Sequence, residues 1–145
     1  MPSLAPFLSS KGRQTLEKAF RAMRKMPMTF NMDTFMSHDV AAHPVRGRPR
    51  PYCGTVACLA GHIDLAANGD QAIATRGLLI FHRDTSRRAL NALGITLDYW
   101  KVDHQLFPTY GWPDTFRRRY RNARSHRGRV VVAIARVRYW LKTGK

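Results

Sequence analysis

The segment from Val56 to Ala67 constrains the fold more than any other part of the chain. All but three of its residues are apolar. A helix that is apolar on every side is stable only in the interior of a domain. Thr55 is a typical N-cap residue, and Asn68-Gly69 is a typical left-handed helix end. We therefore predict a buried central helix over Val56–Ala67.

Helical signals lie on both sides of this segment. In Ser10–Met26, apolar side chains recur at helical spacing, which predicts a helix. Pro27 ends this helix, because the residue before a proline avoids helical geometry. Val130–Val132 favour a strand by β-branching, but Val130, Ile134 and Val137 share one helical face, which favours a helix. The other predicted helices cover Ser86–Leu93, Thr96–Leu106, a segment from Pro113 onward, and Arg129–Leu141. Trp100 is one of the apolar positions of the Thr96–Leu106 helix.

These signals together predict a mainly α protein. We expect residues 1–145 to form a compact single-domain bundle of five or six helices around the central helix. Residues 38–51 lack an apolar pattern and are predicted to form a basic loop. Residues 113–142 are predicted to form a basic helical region.

Positive charge is strongly concentrated toward the end of the chain. The 25 Lys and Arg exceed the 9 Asp and Glu, which gives a net charge of +16 and a pI near 11.2. From Thr115 to Lys145 there are nine arginines and two lysines but no acidic residue. Self-repulsion of this size destabilises a compact state, so we expect a polyanionic partner. No apolar run approaches the length of a membrane span, and we predict no membrane partner.

The run RRRYRNARSHRGR from Arg117 to Arg129 carries the strongest functional signal. On one helix starting near Pro113, Arg117, Arg121 and Arg124 would form a stripe, with Tyr120 on the opposite, core side. No Glu or Asp lies four residues further along to pair with them. Arginine forks onto phosphates in a bidentate manner. The predicted nucleic-acid-binding residues are Arg117, Arg118, Arg121, Arg124, Arg127, Arg129, Arg46, Arg48 and Arg50.

The stretch PYCGTVACLAGH contains both cysteines and has several possible interpretations. Cys58 and His62 are four residues apart, as zinc ligands often are. Cys53 precedes a predicted helix start, where a thiol pKa is lowered. Gly54 and Thr55 resemble an anion-binding helix start. Packing explains the same residues, and we predict no catalytic residue, metal or cofactor here.

The string CGTVACLAG resembles the CGT-x-A-C-x-A-G element of a group of uncharacterised small bacterial and phage proteins. The FNM string (Phe30–Met32) is similar to the same group, as is LGIT…LFPTYGWPDTFRRRY between Leu93 and Tyr120. The likeness runs from Phe30 to the end of the chain. Members often carry an aromatic residue at the position of His62. The resemblance implies a bacterial or phage origin and no particular activity.

The sequence therefore predicts a cytoplasmic protein and favours a binding protein over an enzyme. It is expected to bind DNA or RNA, mainly through phosphate contacts from an arginine-rich helix. The alternative is a protein-interaction module, such as a phage-encoded inhibitor, that docks on an acidic surface of a host protein. Both readings are compatible with a chain of this charge.

Overall fold

Six α-helices make up most of the described chain, which confirms the mainly α prediction. The computed structural model describes residues 8–32, 36–38, 55–69, 82–95 and 99–145. Short 3₁₀ turns at Pro27–Thr29 and Thr109–Gly111 join some of the elements. The helices are α1 Ser10–Lys25, α2 Leu59–Asn68, α3 His82–Ala92, α4 Tyr99–Leu106, α5 Asp114–Asn122 and α6 His126–Thr143.

The first helix, α1, forms as its sequence predicts. The Ser9 side chain caps it by accepting a hydrogen bond from the Gly12 amide at 2.9 Å. Leu16, Phe20 and Met23 are buried on its inner face. The helix ends directly before the Pro27 turn, as expected for the residues that precede a proline.

The central helix begins later than predicted, because Thr55–Ala57 forms a strand. This strand, β2, pairs antiparallel with β1, Met36–His38, so Thr55 is not an N-cap. Pairing with a distant segment satisfies backbone groups that the helix would otherwise use. Cys58 occupies the N-cap position instead. At the other end, Gly69 ends the helix as the sequence predicts, with a positive φ of 55° that favours glycine, but its ψ of −131° differs from that of a left-handed αL cap.

Burial of α2 confirms the predicted central position. Every residue from Leu59 to Ala66 is buried, and α2 packs against α1 and α3.

Asp64 is fully buried and accepts hydrogen bonds from Arg88 Nε at 2.7 Å and Asn68 Nδ2 at 2.7 Å. A second bond from Arg88 Nη2 completes this ion pair. The pair connects the centre of α2 to α3.

Helix α3 begins earlier than predicted, at His82 instead of Ser86. Helix α4 is described over Tyr99–Leu106 and ends where the sequence predicts. Its apolar residue Trp100 is 76% exposed. The residues before Tyr99, including Thr96, lie outside the described part of the chain.

The last two helices, α5 and α6, form a packed pair. The Ser125 hydroxyl caps α6 by accepting a hydrogen bond from the Gly128 amide at 3.0 Å. Val130, Ile134 and Val137 are buried in the core, which confirms the helical prediction for this segment. Their burial outweighs the strand preference of the β-branched residues. None of the helices described is long and apolar enough to cross a membrane.

Candidate nucleic-acid interface

The predicted arginines lie on three parts of the α5–α6 pair. Helix α5 ends at Asn122, and Ala123 has extended backbone angles of −67° and 123°. Arg124 therefore lies in the connection, and the single helical stripe through Arg117, Arg121 and Arg124 is wrong. Arg127 and Arg129 follow in the first turns of α6. The reason is the Ser125 cap, which starts a new helix within the arginine run.

Exposure divides these arginines into two groups. Arg118, Arg121, Arg124 and Arg127 are exposed to solvent. Arg117 and Arg129 are half-buried at the junction of α5 and α6. The remaining predicted contacts, Arg46, Arg48 and Arg50, lie outside the described residues.

Three of the arginines line one cleft of about 420 Å³ between α5, α6 and the Thr109–Gly111 turn. We call it the arginine cleft. Its polar wall combines guanidinium groups from two helices with hydroxyl groups of the turn and of α5. This volume is within the range typical of small-ligand sites. The lining residues are Thr109, Tyr110, Arg117, Tyr120, Arg121 and Arg129.

Tyr120 forms a fixed rear wall of the arginine cleft. Its hydroxyl accepts a hydrogen bond from the Met32 amide at 3.1 Å, and its ring meets Trp112 edge-on at 5.5 Å. The guanidinium carbon of Arg129 lies 5.8 Å from the ring centroid, within cation–π range. Tyr120 packs against the core, as predicted, but its ring also contacts Arg129, which the sequence did not predict.

One carboxylate lies within the arginine region. Arg117 forms an ion pair with Asp114, three residues earlier on α5. A search at a spacing of four residues does not reveal this pair, because Asp114 precedes Arg117 by three. Both side chains are substantially exposed, so the pair contributes at most about 1 kcal/mol. Arg121 and Arg129 make no ion pair with a carboxylate in the described ranges.

Arg136 has a structural position that the sequence argument did not predict. It is fully buried and donates hydrogen bonds to the Gln105 backbone oxygen at 2.9 Å and the Lys145 backbone oxygen at 2.6 Å. Burial lowers the pKa of its guanidinium below the usual value. Its spacing of four residues from both Val132 and Trp140 was the available signal, because those residues share the buried face of α6.

Cys58 and His62 are both buried at the start of α2. Burial raises the pKa of the Cys58 thiol to about 12 and lowers the pKa of His62 to about 4. His62 Nε2 lies 3.0 Å from the Thr29 backbone oxygen. In the part of the chain that the structure covers, no three His, Cys, Asp or Glu side chains converge as a metal site would need. Cys53 is outside that part.

A second basic groove lies on other elements and was not predicted. It has a volume of about 820 Å³ and is formed by α1, the end of α2 and α3. Its cations include Lys11, Lys18 and Arg21, while Arg88 is already engaged by Asp64. The spacing of these residues along α1 was the available signal, because it places them on one helical face.

Comparison with protein-family models, with curated proteins and with solved structures finds no match for this chain. The resemblance of the CGTVACLAG string to a bacterial and phage group therefore stays a prediction.

Proposed function

We propose that this protein binds nucleic acid through phosphate contacts made by the arginines of α5, α6 and their connection. The observation that carries this proposal is the convergence of Arg117, Arg121 and Arg129 on one cleft. Exposed Arg118, Arg124 and Arg127 extend the same cationic region. We call these six residues the arginine surface.

The chemistry of the arginine surface favours phosphate over a diffuse anionic partner. A guanidinium group presents several donors in a planar fork that matches phosphate oxygens. Arg129 is held against the Tyr120 ring, so less side-chain entropy is lost when it binds. Each phosphate contact also releases condensed counterions, which makes the affinity depend on salt.

The test replaces three exposed members of the arginine surface, Arg121→Gln, Arg124→Gln and Arg127→Gln together. Binding of a labelled oligonucleotide is measured by fluorescence anisotropy between about 50 and 200 mM salt. We expect affinity to fall by about tenfold or more. The slope of log K against log salt should become shallower by about 3, which is about one for each lost phosphate contact.

A matched control removes the same charge from the second basic groove, with Lys11→Gln, Lys18→Gln and Arg21→Gln. These side chains are also exposed, so neither variant disturbs the core. The control variant should lose less affinity for the oligonucleotide than the triple arginine variant does. Equal losses in the two variants would contradict a localised surface. Salt-insensitive or absent binding of both DNA and RNA would contradict the proposed function and favour an acidic protein partner.

We also propose that the protein acts in the cytoplasm of a bacterium or of a phage-infected cell. The resemblance of CGTVACLAG to a bacterial and phage group supports this origin. A chain with two cysteines suits a reducing compartment. Fractionation of cells that express the protein tests the compartment, and recovery outside the cytoplasm would contradict it.

A further inference from the structure

Two aromatic rings meet beside the arginine cleft, and a third ring is exposed one helical turn away on α4. Tyr110 lines the cleft and is 69% exposed. The His104 ring lies 5.5 Å from the Tyr110 ring. Trp100 is one helical turn before His104 on α4 and is 76% exposed. We call these three residues the aromatic row.

The packing of the Thr109–Gly111 turn against α4 sets the position of Tyr110. The Gly111 amide donates a hydrogen bond to the Pro108 backbone oxygen at 3.1 Å. A Cβ atom at position 111 would clash with the His104 backbone oxygen. Only glycine therefore allows this turn to lie against α4, and this close approach places Tyr110 beside His104.

Exposed aromatic rings next to cationic side chains form the usual platform for single-stranded nucleic acid. Bases stack on the rings while the basic groove follows the backbone. A duplex offers its phosphates to the arginines, but its bases are already stacked and paired. The aromatic row therefore adds binding energy only for a strand whose bases are free.

Resting on the proposed function, we propose that this surface binds single-stranded nucleic acid. The arginine cleft holds phosphate on Arg117, Arg121 and Arg129, and bases stack on Tyr110 and Trp100. The Thr109 hydroxyl adds a neutral donor at the cleft wall. Tyr120, fixed by its hydrogen bond to Met32, keeps the rear of the cleft closed.

The first measurement compares single strands with a duplex of the same length, about 12 nucleotides. Oligo-dT and oligo-U are used as separate single-stranded probes. We expect either or both to bind at least about tenfold more tightly than the duplex, because stacking contributes to the single strand alone. The stronger of the two probes identifies DNA or RNA as the ligand.

The second measurement uses Tyr110→Leu and Trp100→Leu. Each should weaken single-strand binding by about fivefold or more and duplex binding by less, which lowers the preference for the single strand. Tyr110→Phe retains the ring and should bind as the original protein does. Trp100 is exposed whereas Trp112 and Trp140 are buried, so quenching of its fluorescence on binding reports stacking directly.

The outcomes separate this inference from the proposed function. Equal affinity for single strand and duplex, with no effect of Tyr110→Leu, would overturn the inference. In that case, weaker nucleic-acid binding by the triple Arg121, Arg124 and Arg127 variant would still support phosphate contacts from the arginine surface. If neither form of nucleic acid binds in a salt-dependent manner, the proposed function fails and the inference fails with it.

Discussion

At the scale of single residues, burial decides what each cation of α6 can do. Arg136 donates to the backbone oxygens of Gln105 in α4 and of Lys145 after α6, so it acts as a structural clamp between these segments. Arg138, two residues later, is exposed. Arginine is therefore a buried structural residue at position 136 and a solvent-exposed residue at position 138.

Replacing Arg136 with methionine should lower the free energy of unfolding by about 2 kcal/mol or more. The Gln105 and Lys145 backbone oxygens lose a charged donor that sits in the core, and the new side chain cannot replace it. Urea denaturation measures the change. Arg138→Met, on the exposed face, should change stability by no more than about 0.5 kcal/mol. Equal effects of the two substitutions would contradict the clamp.

His62 makes stability depend on acidity. Burial lowers its folded pKa to about 4, against 6.5 for an exposed histidine. Between these two values the unfolded chain binds the proton and the folded chain does not, so stability falls as the pH drops through this window. At about pH 5 the loss relative to about pH 7 should be roughly 2 kcal/mol.

The measurement is urea denaturation at both pH values. His62→Phe removes the titrating group and keeps an aromatic ring, so its stability should change less between the two conditions. The two proteins are compared by how much their free energy of unfolding changes between the two pH values. Their absolute stabilities also differ, because the variant loses the contact with the Thr29 backbone oxygen. A parallel pH dependence in both proteins would refute the role of His62.

At the scale of elements, the buried pair of Asp64 and Arg88 joins α2 to α3. Asp64→Asn leaves Arg88 without its charged partner, which should destabilise the protein by about 3 kcal/mol. Thermal and urea denaturation measure this loss. Arg87→Gln, on the exposed side of α3, is the matched control and should have little effect. A double-mutant cycle with Arg88→Gln should show strong coupling, and independent effects would contradict the pair.

Local sequence signals predicted the elements unequally. The bounds of α1 and the end of α2 follow from caps and prolines, which act over a few residues. The start of α2 depends on pairing between Thr55–Ala57 and Met36–His38, which are distant in sequence. The arginine residues were predicted individually, but their cleft requires the convergence of α5, α6 and the Thr109–Gly111 turn. No periodicity within one helix contains that information.

At the scale of the whole molecule, a net charge of +16 opposes compaction. Raising the salt concentration from about 10 to 100 mM should therefore raise Tm, because screening weakens the repulsion. A single-stranded oligonucleotide at about 100 times its Kd should raise Tm by about 5 to 10 °C at fixed salt. The triple arginine variant should gain less from the oligonucleotide. Identical shifts in both proteins would indicate stabilisation by general screening.

Under the proposed function, Asp114 competes with the ligand for Arg117, because the two side chains form an ion pair. A phosphate that reaches Arg117 displaces a tethered carboxylate, so binding there exchanges one anion for another and gains less than at an unoccupied arginine. Removing the competitor with Asp114→Asn should tighten oligonucleotide binding by up to about fivefold, as expected from the strength of an exposed pair. Weaker binding would mean that Asp114 orients Arg117 for its ligand. Under the proposed function, either change in affinity would show that this one carboxylate tunes the binding strength of the arginine surface.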